Sequence, residues 1–120
     1  MRFSLMRSAV AGLVLFCTAG TIQAADLAGG YRGACVSYSQ SDLANQSPDV
    51  IRQTVWSNLD NAKSAMNEPS VLASTRPSFV WAMEARWACE AAAGYLETGH
   101  FDTASIQKCD CFYQRHLSFR

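Results

Sequence analysis

The sequence predicts an all-α fold: a small three- to four-helix bundle braced by two disulfides, behind a cleaved signal peptide. Three observations predict it. Apolar residues recur at spacings of three and four, and few runs alternate with period two, so helices are expected and a sheet is not. The first two dozen residues have the parts of an export signal. Four of the five cysteines lie downstream of that signal, an even number in a short exported chain.

The export signal comes first. Residues 1–7 carry Arg2 and Arg7 and no acid, residues 9–19 are apolar or small, and Ile22-Gln23-Ala24-Ala25 is a small-residue exit. The apolar run is too short for a transmembrane anchor, which needs roughly 20 residues. Cleavage after Ala24 divides the chain into a signal (1–24) and one small helical domain (25–120), placed in the periplasm. Cys17 leaves with the signal, because Phe16 before it is too bulky for a lipid-attachment site. The full chain has ten basic and ten acidic residues, and loss of Arg2 and Arg7 leaves a weakly acidic product. No basic stripe is present, so a nucleic-acid partner is not expected. No second apolar run is long enough to span a membrane. A core of this size gains most from cross-links, each disulfide contributing about 2–4 kcal/mol.

The elements follow in order. Gly29, Gly30 and Gly33 oppose a firm helix, but Ala34 to Gln40 suits a short one. Ser47-Pro48-Asp49 is a helix start: a capping hydroxyl, proline in the first turn, and an acid near the positive end of the dipole. Ile51, Val55, Leu59, Ala62 and Met66 form its apolar stripe, and Glu68-Pro69 closes it. Ser70 to Arg76 reads as a loop. Pro77 opens the longest helix, which runs to about Thr98 with Gly99 as the stop. That helix is rich in alanine, interleaved with Phe79, Trp81, Trp87, Tyr95 and Leu96, while Arg86, Glu90 and Glu97 share a wet face. Asp102 caps the last helix, roughly Thr103 to Ser118, with Ile106, Cys109, Tyr113 and Leu117 as its stripe. The short connection predicts a hairpin of the last two helices.

The cysteines Cys35, Cys89, Cys109 and Cys111 are expected to form two disulfides. Cys109 and Cys111 diverge by about 160° on one helix, so they do not pair with each other. Counted back from the turn at Gly99–His100, Cys89 lies level with position 111. Register therefore favours Cys89–Cys111 with Cys35–Cys109. The alternative, Cys35–Cys111 with Cys89–Cys109, needs only a few ångströms of sliding. Metal ligation by Cys109, Cys111 and His116 competes with bracing, but only Cys109 and His116 share a face, and an oxidising compartment disfavours thiolate ligands. No metal and no cofactor are expected. A redox role lacks a Cys-x-x-Cys.

Two side chains are candidate binding residues. Glu84 projects between Val80, Trp81, Trp87, Ala88, Ala91 and Tyr95, the middle of the apolar face. There it reads either as a buried ion pair with Arg32 or Arg76, or as a site residue in a pocket. Trp56 sits beside its helix's stripe, either as the flank of a wide core or as a contact anchor. His100 and His116 read as surface residues. No Ser/His/Asp set, hydrolase elbow or glycine-rich phosphate loop can be assembled, so an enzyme is not expected.

The stretch Ala88-Cys89-Glu90-Ala91-Ala92-Ala93-Gly94-Tyr95-Leu96-Glu97-Thr98-Gly99-His100-Phe101-Asp102 resembles the helical centre of small periplasmic immunity proteins of the Rap1a/Tai type, which pair with toxins of the type VI secretion system. The resemblance implies tight binding to a peptidoglycan-cleaving or similar effector, with its active site blocked. The expected function is thus non-enzymatic binding of another protein, as an inhibitor or immunity protein. A structural or stress-related envelope factor associated with a secretion system is the alternative.

Overall fold

The computed structural model describes residues 35–120, and among the described residues there is no strand. The expected signal peptide, Cys17, Arg32 and the glycines at 29, 30 and 33 lie outside the described residues. Two 3-10 turns, Tyr38–Gln40 and Asp42–Asn45, lead into α1 (Pro48–Ala65), α2 (Pro69–Leu72), α3 (Ser78–Glu97) and α4 (Thr103–Ser118). Over residues 35–40 the short helix expected is thus a single 3-10 turn, followed by another. The cause is local. Ser37 and Ser41 hold extended backbone, and their hydroxyls bond to Gln40 Oε1 (3.0 Å) and the Tyr38 carbonyl (2.7 Å), which competes with α-helical continuation. Leu43 from the second turn enters the core.

α1 begins as the sequence predicts. The Ser47 side chain accepts from the Val50 N–H at 3.4 Å, and Pro48 occupies the first turn, where its missing N–H costs nothing. Ile51, Val55, Leu59 and Ala62 are buried, Met66 half-buried, and Asn58 and Ala65 join them inside. The stretch read as a loop contains α2. Pro69 can start a helical turn, and that turn carries Val71 into a small cluster with Ala65 and Ala82.

α3 and α4 form the expected hairpin. Gly99 has φ +77°, its N–H donates to the Leu96 carbonyl (3.1 Å), and the His100 N–H donates to the Tyr95 carbonyl (2.9 Å). This is a Schellman closure, and glycine supplies the left-handed residue without a Cβ penalty. The rings of Tyr95 and His100, 5.4 Å apart edge-on, make its accompanying contact. Asp102 then caps α4 by accepting from the Ser105 N–H at 2.9 Å. The two helices run antiparallel, since Ser78 meets His116, Trp81 meets Phe112, and Cys89 meets Cys109. The inner face of α3 supplies Trp81, Ala82, Ala85, Cys89, Ala92, Ala93 and Leu96 to the core. Its alanines keep the backbone close to both α1 and α4.

The disulfides join Cys35 to Cys111 (Cα–Cα 5.9 Å) and Cys89 to Cys109 (Cα–Cα 4.5 Å), which corrects the pairing that register favoured. Direction decides it. Cys109 lies on the α4 face shared with Ile106 and is fully buried against α3, whereas Cys111 is turned away and half-buried. Side-chain direction outweighs a two-residue difference in level, worth about 3 Å of helix. The same face rotates the α4 stripe. Ile106 and Cys109 are buried as expected, but Tyr113 is half-buried, Leu117 is exposed, and His116 is buried in its place.

Candidate functional site

The two faces of α3 differ. Its inner face is closed by α1 and α4. Its outer face, Val80, Glu84, Trp87, Ala91, Gly94 and Tyr95, falls within about 100° of arc by helical periodicity. Trp87 is 52 % exposed and Tyr95 45 % exposed, while Ala91 and Gly94 are open to solvent. The expected centre of the apolar face is therefore the outside of the bundle. Glu84 moves with it, and of its two expected ion-pair partners Arg32 lies outside the described residues. Glu84 is half-buried, and it makes no ion pair with Arg76 or any other cation among the described residues. Arg86, its nearest basic neighbour in sequence, is taken by Glu90 (Nε to Oε1, 3.0 Å). Cys89 carries the signal that finds this face from sequence. A disulfide to α4 fixes position 89 inward, and Trp87, two residues earlier, must then point outward.

Trp56 lies on the flank of α1 and is 40 % exposed. It shares that flank with Lys63, seven residues on. Lys63 lines an open groove of about 700 Å³ between α1 and α3, with Met66, Leu72, Phe79, Arg86 and Glu90. The groove is open and mixes apolar with charged side chains, without the enclosure that a small-molecule site requires. Trp56 and Glu84 stand on different helices and are not brought together.

Sequence reasoning missed a buried Ser–His pair. His116 Nδ1 lies 3.2 Å from Ser78 Oγ and 3.0 Å from the Ser78 carbonyl, with both residues inaccessible. His116 is thus not the surface residue expected. Its seven-residue spacing from the buried Cys109 was the signal. A carbonyl can only accept, so Nδ1 carries the proton and donates. A protonated Nδ1 cannot take the proton of the serine hydroxyl, and no solvent reaches either group. The pair fastens the end of α4 to the start of α3 and lacks the arrangement of an activated nucleophile. His116 Nε2 is buried and has no hydrogen-bond partner among the described residues. His100 is exposed, as expected.

Asp102, the cap of α4, and Asp110 within it show opposite electrostatics. Hydrogen bonds from the Ser105 hydroxyl and N–H hold the Asp102 carboxyl below the usual range. Burial pushes Asp110 up, opposed by hydrogen bonding with Gln114 and Asn58 and reinforced by Asp42. The Asn58 amide leans toward Asp110, yet its Nδ2 achieves no well-formed hydrogen bond. Among the described residues no group of three His, Cys, Asp or Glu could hold a metal ion, and the sulfurs of Cys109 and Cys111 are consumed in disulfides. No helix of the described residues is long and apolar enough to cross a membrane. Compared with protein-family models, curated proteins and solved structures, the chain matches none of them.

Proposed function

We propose that this chain is an exported, non-enzymatic periplasmic protein that binds another protein, in the form of an inhibitor or immunity protein against a secreted toxin. The observation that carries the reading is a set of large aromatic side chains held out into solvent on a doubly cross-linked scaffold. Trp56, Trp87 and Tyr95 are each two-fifths exposed or more. Exposed tryptophan and tyrosine on rigid backbone are the side chains that dominate protein interfaces. Rigidity lowers the entropy cost of association. Both disulfides lie in the hairpin that carries Trp87 and Tyr95 or tie the N-terminal segment to it. Oxidised sulfurs and the signal-like N-terminus support export. The resemblance of residues 88–102 to Rap1a/Tai-type immunity proteins supports the specific form.

The test is co-purification of the tagged, exported protein from periplasmic extract, followed by titration calorimetry with the protein recovered. The expected result is a stoichiometric complex with an exported effector whose gene lies beside this one, and a mature N-terminus at Ala25. Failure to form a complex with that effector at micromolar concentration would reject the immunity form. An envelope defect on deletion, in the absence of any toxin, would favour the maintenance role instead.

A further inference from the structure

We propose that the outer face of α3 is the docking surface, and that its occupant is a segment of another protein presenting one arginine or lysine between apolar residues. The inference rests on the protein-binding reading above and names the surface and the partner's chemistry. By helical position the face carries small residues between two exposed aromatics, which leaves a shallow trough with aromatic ends. Trp87 and Tyr95 stand eight residues apart, about 12 Å along the helix. Between them are Ala91 and Gly94, and a Cβ built on Gly94 would meet nothing within 4 Å. Tyr95 is propped by the edge of His100. One turn before Trp87 sits the half-buried Glu84 carboxylate, with no ion pair or hydrogen bond among the described residues.

Charge decides the occupant. The trough accepts an apolar stem, and the one acidic side chain on it is Glu84. A long basic side chain satisfies both, its methylenes lying over Ala91 and its head reaching Glu84 and the Trp87 ring together. A second copy of this chain does not. A two-fold pairing of α3 centred on Ala91 sets Trp87 against the partner copy's Tyr95 but Glu84 against its Thr98, which leaves the carboxylate without a cation. Anionic lipid and nucleic acid are repelled by the same carboxylate.

The probe is a library of short random peptides displayed on phage, selected against the mature, oxidised protein. Selected peptides are expected to carry a basic residue flanked by apolar ones. A synthetic peptide of the selected sequence should bind at least about tenfold more weakly to Glu84→Gln. It should lose binding to Gly94→Met, which fills the trough, and bind normally to Leu117→Ala, an exposed position on α4. Cooperative thermal melts no lower than that of the parent protein certify that the variants are folded. The proposal is overturned by selected peptides lacking a basic residue, by no selection at all, or by equal binding to Glu84→Gln. A concentration-dependent dimer that Trp87→Ala dissolves overturns it too. A co-purified effector that binds Glu84→Gln and Trp87→Ala at full strength removes this surface while sparing the protein-binding reading. Peptide binding as described with no periplasmic complex removes the immunity reading while sparing the surface.

Discussion

Trp81 and Trp87 sit on the same helix six residues apart, and the first is 2 % exposed while the second is 52 % exposed. Nothing in composition separates them. Each has alanine among its neighbours on the helix, and α3 is apolar most of the way round. What separates them is coverage. Trp81 packs against Phe112 at 5.5 Å between ring centroids and carries the Arg115 guanidinium over its ring at 4.9 Å. Trp87 faces away from both α1 and α4. A helix that is apolar all round normally has partners all round. In α3 the described residues cover one side and leave Trp87 and Tyr95 exposed on the other.

The sharpest way to break the comparison is to truncate both tryptophans. Trp81→Ala should destabilise the fold by about 3–5 kcal/mol, because it empties a closed core position and strands the groups around it. Trp87→Ala should change stability by no more than about 0.5 kcal/mol, as an exposed side chain does. Urea unfolding of the two variants measures both. Equal losses would mean that the outer face is covered and that the two tryptophans do not differ in coverage.

The disulfides come next in size. They hold the inner face shut. In the chain-entropy account, a cross-link spanning the 20-residue separation of Cys89 and Cys109 contributes about 3 kcal/mol. The double variant Cys89→Ala, Cys109→Ala should lose about that much while leaving Cys35–Cys111 oxidised. Connectivity has a direct check, because cleavage before aspartate separates Cys109 from Cys111 at Asp110. Without reduction, the peptide 60–101 should be joined to 102–109, and 26–41 to 110–120. Mass spectrometry finding 60–101 joined to 110–120 would restore the pairing that register favoured.

The helices were legible because their ends are chemically marked. Ser47 with Pro48, Gly99, and Asp102 each perform the capping role their residue type predicts, and the structure places α1, α3 and α4 within a residue or two of the expected bounds. Facing was less legible. Hydrophobic periodicity assigns a face only when the opposite side is polar, and α3 offers no such contrast outside Arg86, Glu90 and Glu97. Glu84 was therefore centred on the wrong side, as were Trp87 and Tyr95. His116 shows the converse. A polar residue near a helix end reads as surface, yet the Ser78 carbonyl lies opposite it as an acceptor, and that partner is 38 positions away in sequence. α2 was missed because a four-residue helix is too short to show a period.

A smaller effect sharpens the comparison on the outer face itself. Gly94 lies within α3 with no strained φ, and an added Cβ meets open space. Gly94→Ala should stabilise the fold by about 0.5–1 kcal/mol, through the lower entropy of the unfolded chain and alanine's helix propensity. For a domain of this size that is a rise in melting temperature of a few degrees, roughly 4–8 °C per kcal/mol. A loss of stability would show that the trough is filled by a neighbour in the native protein.

The smallest effect sets a covered carboxylate against an uncovered one within α4. Asp110 has its pKa raised by burial, so its ionised form is less comfortable folded than unfolded. The penalty is absent below the unfolded value near 3.8, grows as pH rises through the window up to the folded value, and is complete above it. Asp102 runs the other way. Its lowered pKa means that its contribution is complete above 3.8 and is lost as pH falls through the folded value. Asp110→Asn should therefore raise the melting temperature at pH 7, by an amount that shrinks toward nothing as the pH approaches 3.8. Asp102→Ala should lower it at pH 7, and that deficit should also fade in acid. Thermal melts of both variants across pH 3–7 decide the matter. If Asp110→Asn proves destabilising at neutral pH, the carboxylate's polar interactions with Gln114 and Asn58 outweigh its burial, and α4 is held from that flank more firmly than the contrast between the faces of α3 would suggest.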